Sequence, residues 1–344
     1  MMGSKMKTII FFYTIAFILT NVTPASSVTK VGTTAAPFLE IGIGARAIGM
    51  GGAFVAVASD ATALYWNPSG LSRLSRNEVV LIHTQWLADT RFDFAGIVLQ
   101  LGQFGTLGAS ITSFSMDDME VRTIEKPEGT GEMFSAGDFS LGLSYARNLT
   151  DRFSVGFNAK YIQQKIWHMN ASSIAMDVGL LFRTHFNDLK IGMSISNFGN
   201  KMRMEGKDTM VRHDIDPDHL GNNDRINAHL DTDRWSLPLI FRVGLAMDVL
   251  KMGSSSRLTL AGDATHPNNN SEYLNMGLEF ATKEIFFLRL GYKSLFLNDS
   301  EQGFTAGAGM EYNLVGNVVI KIDYAYADFS RLDNVQRFSL GLSF

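Results

Sequence analysis

EIGIGARAIGMGGAFVAVASDATALYWNPSGLSRL, residues 40–74, is neither a clean strand nor a clean helix. Glycines at 44, 49, 51 and 52 let the backbone take positive φ and pass close to other backbone, a freedom that costs entropy unless tight packing requires it. Small residues follow: Ala53, Ala56, Ala58, Ala61 and Ala63. Asp60 is placed to cap a short helix over AlaThrAlaLeuTyrTrp, which must end before Asn67-Pro68 because a residue ahead of proline is pushed out of the helical region. A compact, kinked insert of this kind is expected inside a confined space.

Downstream of Arg76 the hydrophobic period becomes two and stays so to the last residue. Phe153, Val155, Phe157, Ala159 and Tyr161 alternate with Ser154, Gly156, Asn158 and Lys160. Ile320, Ile322, Tyr324 and Tyr326 alternate with Lys321, Asp323 and Ala325. Such alternation marks strands that face two different solvents. It places strands near 77–85, 91–101, 104–115, 138–147, 153–164, 172–182, 189–198, 238–248, 257–265, 272–281, 285–294, 303–313, 317–327 and 335–344. The count is the even number a single-chain bacterial barrel prefers, and each segment is about the 9–11 residues needed to cross a bilayer at a tilt.

Connections are expected to alternate strictly between short and long. Gly102-Gln103, 148–151, 183–186, 251–254, 283–284 and 315–316 are the short turns, and 116–137 and 199–237 the most extended loops. A soluble β-sandwich would also alternate, yet its second face would carry many exposed charges. Here that face is rich in Gly, Ser, Asn and Ala. Its scattered charges, Lys160, Asp177, Arg242, Asp248, Glu279, Arg289, Glu311, Lys321 and Asp323, have mixed signs and are expected to pair in a lumen.

The N-terminus reads as a secretory signal: Lys5 and Lys7 precede an apolar run from Ile9 to Leu19 that closes at ThrProAlaSerSer, with cleavage after Ala25 or Ser27. The run is too short for the roughly 20 residues of a spanning helix. Cysteine is absent from the 344 residues, which excludes disulfides, thiol catalysis, zinc-thiolate sites and a lipid-anchored cysteine. A net charge of −4 without a basic run leaves no nucleic-acid footprint.

The stretch Gly44–Leu71 resembles the N-terminal segment of the PorV/PorQ proteins and, more distantly, of the FadL fatty-acid transporters of bacterial outer membranes. The resemblance implies an all-β, 14-stranded antiparallel transmembrane barrel over 76–344, with 28–75 tucked into its lumen as a hatch after a signal peptide at 1–27. The implied hatch motif is Gly44, Arg46, Gly49, Gly51, Gly52, Asp60, Asn67 and Pro68. Its turn reads Asn67-Pro68-Ser69 where the family has Asn-Pro-Ala. The last strand, with Phe338, Leu340, Leu342 and Phe344 on one face, resembles the C-terminal signal read by the barrel assembly machinery. These marks point to the outer membrane of a diderm bacterium, with its lipid as the surrounding partner.

Two functions are compatible with that architecture. One is a non-enzymatic component of protein export of the type IX kind, with secretion-system proteins or exported cargo as partners. The other is a FadL-like channel for hydrophobic small molecules. Loop 199–237 is strongly polar, whereas Met116, Met119 and Met133 offer an adaptable apolar surface. No Gly-x-Ser-x-Gly elbow is present, no cofactor fingerprint sits in a βα unit, and no catalytic residue is expected. His213, Asp214, Asp216, Asp218, His219 and Asp224 crowd one loop, but His219 and Arg225 stand where a calcium loop needs Gly and Glu, so no metal is assigned.

Overall fold

The computed structural model describes residues 30–219, 225–252, 256–314 and 317–344. The signal sequence at 1–27, Asp224, part of the turn at 251–254 and the turn at 315–316 lie outside the described residues.

Strands form where the period-2 pattern runs. They are β1 (Glu78–Gln85), β2 (Arg91–Gln100), β3 (Thr106–Ser115), β4 (Ala136–Asn148), β5 (Phe153–Ile166), β6 (Met169–Arg183) and β7 (Lys190–Gly199). The second half comprises β8 (Ile240–Met252), β9 (Ser256–Pro267), β10 (Tyr273–Thr282), β11 (Phe286–Leu295), β12 (Phe304–Asn313), β13 (Val319–Asp328) and β14 (Asn334–Ser343). Each pairs antiparallel with its neighbours, and β14 returns to β1 with Glu78 opposite Ser343 and Thr84 opposite Arg337. β7 meets β8 across the longest loop, with Ile240 opposite Ser196. The sheet is thus a closed 14-stranded antiparallel barrel, and closure removes every edge.

The two faces differ as the alternation implies. Leu143, Ile174 and Leu288 are more than 60% exposed on the outer surface, where only lipid suits them. Phe338, Leu340, Leu342 and Phe344 lie on this face. Their strand neighbours Arg337, Ser339 and Ser343 point inward and are buried. Val79–Ile82 is apolar on both faces because inward Val80 and Ile82 are buried against an apolar interior.

The connections depart from strict alternation. Among the described residues one rim carries turns such as 101–105, 149–152 and 184–189, while the other carries the extended loops 116–135 and 200–239. On that loop rim, however, β5 and β6 are joined by Trp167 and His168 alone. The reason is their length: 14 and 15 residues carry the hairpin beyond the ring, so the chain reverses at a protruding tip instead of at the rim. Glu205–Gly206 of the long loop pairs onto that tip at Asn170 and Met169. Within the same loop, Met210–His213 pairs with Ile226–His229, and Met202–Arg203 with Arg234–Trp235.

Residues 37–74 lie inside the ring, against the inward faces of strands on both sides. Short helices α1 (Ala45–Gly49) and α2 (Ala63–Trp66), a one-turn 3-10 helix at Pro37–Glu40 and a two-turn one at Pro68–Arg73 carry most of its regular structure. α1 packs on β11 to β14, and the turn at Pro68–Arg73 on β3 to β6. α2 stops at Asn67, which is extended, as the following proline requires. Asp60 lies two residues ahead of the assigned cap Thr62, and its carboxylate accepts from the Thr62 amide at 2.9 Å.

Candidate functional site

The inner segment is held by hydrogen bonds and charge pairs that its own sequence only half reveals. Gly51 has φ +66°, and a Cβ there would stand 2.6 Å from the Met276 carbonyl and 2.8 Å from the Tyr292 nitrogen. Gly49 lies less tightly against the wall, where its Cβ would stand 3.1 Å from Gly307 Cα. Gly44, at φ +85°, faces Thr62 within the segment, and Gly52 faces Trp66 and Asn275. The wall answers with glycines of its own: Gly156 and Gly179 receive the Asn67-Pro68-Ser69 turn, and Gly277 and Gly291 receive Met50 and Gly51.

Asn67 is fully buried. Its Nδ2 donates to the Val55 carbonyl at 2.8 Å and to the Leu180 carbonyl of β6 at 3.1 Å, and its Oδ1 accepts from the Ser69 hydroxyl at 2.7 Å. Asn67→Ala is therefore expected to cost about 1–3 kcal/mol, since two buried carbonyls lose their donor. The check is the temperature at which the folded barrel loses its fast gel migration; a temperature equal to wild type would show the turn to be held by packing alone.

Arg46 is the electrostatic centre. Its Nε and Nη2 donate to Glu279 of β10 at 2.9 and 3.2 Å, and its Nη1 donates to Asp60 at 2.9 Å and Ser59 at 3.1 Å. Glu279, with no exposed side-chain surface, also takes Arg289 Nε at 2.8 Å and Arg257 Nη2 at 2.9 Å. Arg289 continues to Asp323 at 2.6 Å. Glu78 accepts from the Ala61 amide at 2.9 Å and from Lys321 at 2.7 Å. Burial acts to raise the Asp60 carboxyl, but Arg46 and Lys321 outweigh it and hold the group below its usual range. Across the lumen Lys160 pairs with Asp177 at 2.8 Å. The expected pairing of inward charges is thus realised for Lys160, Asp177, Glu279, Arg289, Lys321 and Asp323, and Asp248 accepts from Thr259 at 2.7 Å.

Some anchors escaped the sequence reading. Asp263 of β9 accepts from the Phe54 and Val55 amides at 2.7 and 2.8 Å, and Glu78, Arg257, Lys293 and Arg337 also point inward. Each sits at an inward position of its strand, which is the signal that would have found them. What no pattern gives is which backbone amide of the inner segment each one meets.

The structure brings Arg46 and Asp60 together and sets Asn67 and Pro68 against the opposite wall at β5 and β6. The residues Phe338, Leu340, Leu342 and Phe344 stand apart on the membrane face. Near α2 the lumen keeps a cavity of about 20 Å³, lined in part by Phe38, Leu39, Tyr65, Phe92 and Phe94, the size of one water. A shallow apolar groove of about 520 Å³ lies on the lipid-facing side of the barrel wall at β13, β14, β1, β2 and β3, bordered by Leu81, Ile111, Ile322, Phe338 and Leu340. In the long loop Asp216 pairs with His219 at 2.9 Å, and among the described residues no three of His, Asp and Glu converge as metal ligands. Met119 and Met133 lie exposed on the other loop.

Comparison with known proteins gives the geometry a family. Solved structures of the CymD monoaromatic hydrocarbon channel and the Pseudomonas putida toluene transporter TodX superpose with a TM-score of 0.55 at 12% and 14% identity, covering 88% of this chain and 97% of each. The Ralstonia pickettii toluene transporter TbuX does so at 0.52 and 11%, also over 88% of this chain and 97% of its own. At such identities the likeness is one of fold. A UPF0164 protein of Treponema pallidum is 25% identical over 176 residues, 48% of this chain, and the match spans only 44% of that relative's length. The family model described as type IX secretion system protein PorV matches residues 25–211, more than half of the chain and the whole inner segment with it. An outer-membrane-type barrel closed around this segment, carrying that sequence match, is a member of the PorV family.

Proposed function

We propose that the protein is a non-enzymatic outer-membrane component of protein export, receiving exported proteins or secretion-system partners on its outer loops. Residues 1–27 serve in this reading as a cleaved export signal, 28–75 as a hatch, and the Phe338–Phe344 face as the mark recognised by the assembly machinery. The observation that carries it is the contrast between a filled lumen and a built loop surface. The interior next to α2 leaves about 20 Å³, whereas the loop carries two nested antiparallel ladders, Met202–Arg203 with Arg234–Trp235 and Met210–His213 with Ile226–His229, and its Glu205–Gly206 braces the β5–β6 tip. Protein recognition tolerates a polar rim around a few apolar anchors, which the exposed Met119 and Met133 supply.

The runner-up is a channel for hydrophobic small molecules. The fold likeness to hydrocarbon channels favours it. Crosslinking in intact cells separates the two. Protein partners are expected to be trapped, and deletion of 205–230 is expected to abolish trapping while the barrel still shows heat-modifiable migration. An apolar molecule copurifying in the lumen, with no protein partner trapped, reverses the choice.

A further inference from the structure

Residues opposite one another in the ladder form level rows around the barrel, and on the outer face of β13 to β5 these rows change character toward the loop rim. One row runs Ile322, Leu340, Leu81, Ala95 and Ile111 and is wholly apolar. The next outward row runs Tyr324, Phe338, His83, Asp93 and Ser113, and the one above it passes through Arg91, Ser115, Gly137 and Lys165. The apolar row borders the shallow groove of about 520 Å³, in which Ala95 is the smallest side chain between Leu81 and Ile111. Above it, a second pocket of about 360 Å³ opens at the loop rim, lined in part by Ser115, Asp118, Gln163 and Lys165. Ser113 lines both, so the two form one continuous depression, each part within the ~300–1,000 Å³ of ligand sites.

Its polar content is unusual for a wall that faces lipid. His83 and Asp93 are 60% and 50% exposed and pair at 2.6 Å. A charged pair on this face costs free energy that falls toward the membrane interface. Their row lies at that level, since the Tyr324 and Phe338 rings beside them, 5.1 Å apart, are of the kind that gathers there. Lys165 and Asp118 carry opposite charges and line the same pocket, yet among the described residues neither has an ion pair within 4.0 Å. The side chains of Ser113, Ser115 and Gln163 likewise make no hydrogen bond among the described residues.

We propose that this depression binds one lipid of the outer leaflet whose headgroup carries both a phosphate and a primary ammonium, as phosphoethanolamine does, with an acyl chain in the groove. The phosphate accepts from Lys165, Ser115 and Gln163, and the ammonium donates to Asp118. The ester carbonyls then stand level with Ser113 and His83. A purely anionic headgroup would set its charge against Asp118 with nothing to offset it. A free headgroup would leave the groove empty, and a bare chain would leave both charges unanswered. Because the site lies on the outer wall, it is independent of what the loops or the lumen carry.

The test uses the full mature protein, delipidated in maltoside detergent and titrated with dioleoyl phosphatidylethanolamine under native mass spectrometry. Saturable retention of one lipid is expected, in preference to dioleoyl phosphatidylglycerol. Lys165→Gln and Ala95→Leu, the latter filling the groove, should each weaken it about tenfold, the worth of one charge-assisted hydrogen bond or a few buried methylenes. Asp118→Asn should remove the preference between the two lipids. Lys283→Gln, exposed in the turn between β10 and β11 on the opposite rim, should bind as wild type does. The variant side chains at 95 and 165 face outward, so heat-modifiable migration should persist and separate loss of lipid from loss of the barrel. Absence of a saturable lipid, equal retention of the two headgroups by the wild type, or wild-type affinity in both Lys165→Gln and Ala95→Leu overturns the site. Displacement by chain-free glycerophosphoethanolamine at the lipid's own concentration would overturn the assignment to a lipid.

Discussion

Glu279→Ala is expected to destabilise the barrel by about 3–5 kcal/mol, the cost of breaking a buried ion pair by removing one partner. The carboxylate has no exposed surface and accepts from three guanidinium groups, Arg46, Arg257 and Arg289. Its loss leaves Arg46 with Asp60, Arg289 with Asp323 and Arg257 with Glu284, so each cation keeps one partner while their mutual repulsion goes unscreened. Glu279→Gln retains the shape and half of the acceptor capacity and should fall between. Denaturant-induced loss of heat-modifiable migration measures it. Wild-type behaviour in both variants would mean that lumen water, not the carboxylate, compensates the three arginines.

Gly51→Val is expected to cost about 1–3 kcal/mol through overpacking, with backbone strain added, and to expose the N-terminal segment to protease. A Cβ at Gly51 collides with strand backbone at Met276 and Tyr292, which cannot rotate away as a side chain would. The matched control is Gly131→Val, at φ +82° with nothing within 4 Å, which carries the strain without the collision. Equal effects in the two variants would show that conformation alone, and not contact with the wall, explains the loss.

All fourteen strands were legible because each faces lipid outward and a packed interior inward, two environments that impose a strict period of two on residues such as Phe157 and Asn158. The inner segment was legible for the opposite reason. Gly44, Gly49, Gly51 and Gly52 make no sense in a strand or helix and require close backbone approach. The tight Trp167-His168 reversal was missed because β5 and β6 run past the ring, and nothing in their alternation tells where the membrane ends. Pairing at a distance was illegible as well. Asp263 reaches Phe54 across 209 residues and Glu279 reaches Arg46 across 233, and only closure of the ring brings them into register.

The wall glycines that accept the inner segment have a consequence for how such a chain changes over time. Gly156, Gly179, Gly192, Gly277 and Gly291 are the cast of one particular backbone path, taken where Pro68, Asn67, Val55, Met50 and Gly51 pass. A methyl group added to the cast is tolerated only if the facing loop recedes, and a shifted loop is tolerated only if the cast is recut. The two halves therefore drift together or not at all. Grafting the first 75 residues of a distant relative onto this ring pairs a key with another lock, even where both rings have the same number of strands.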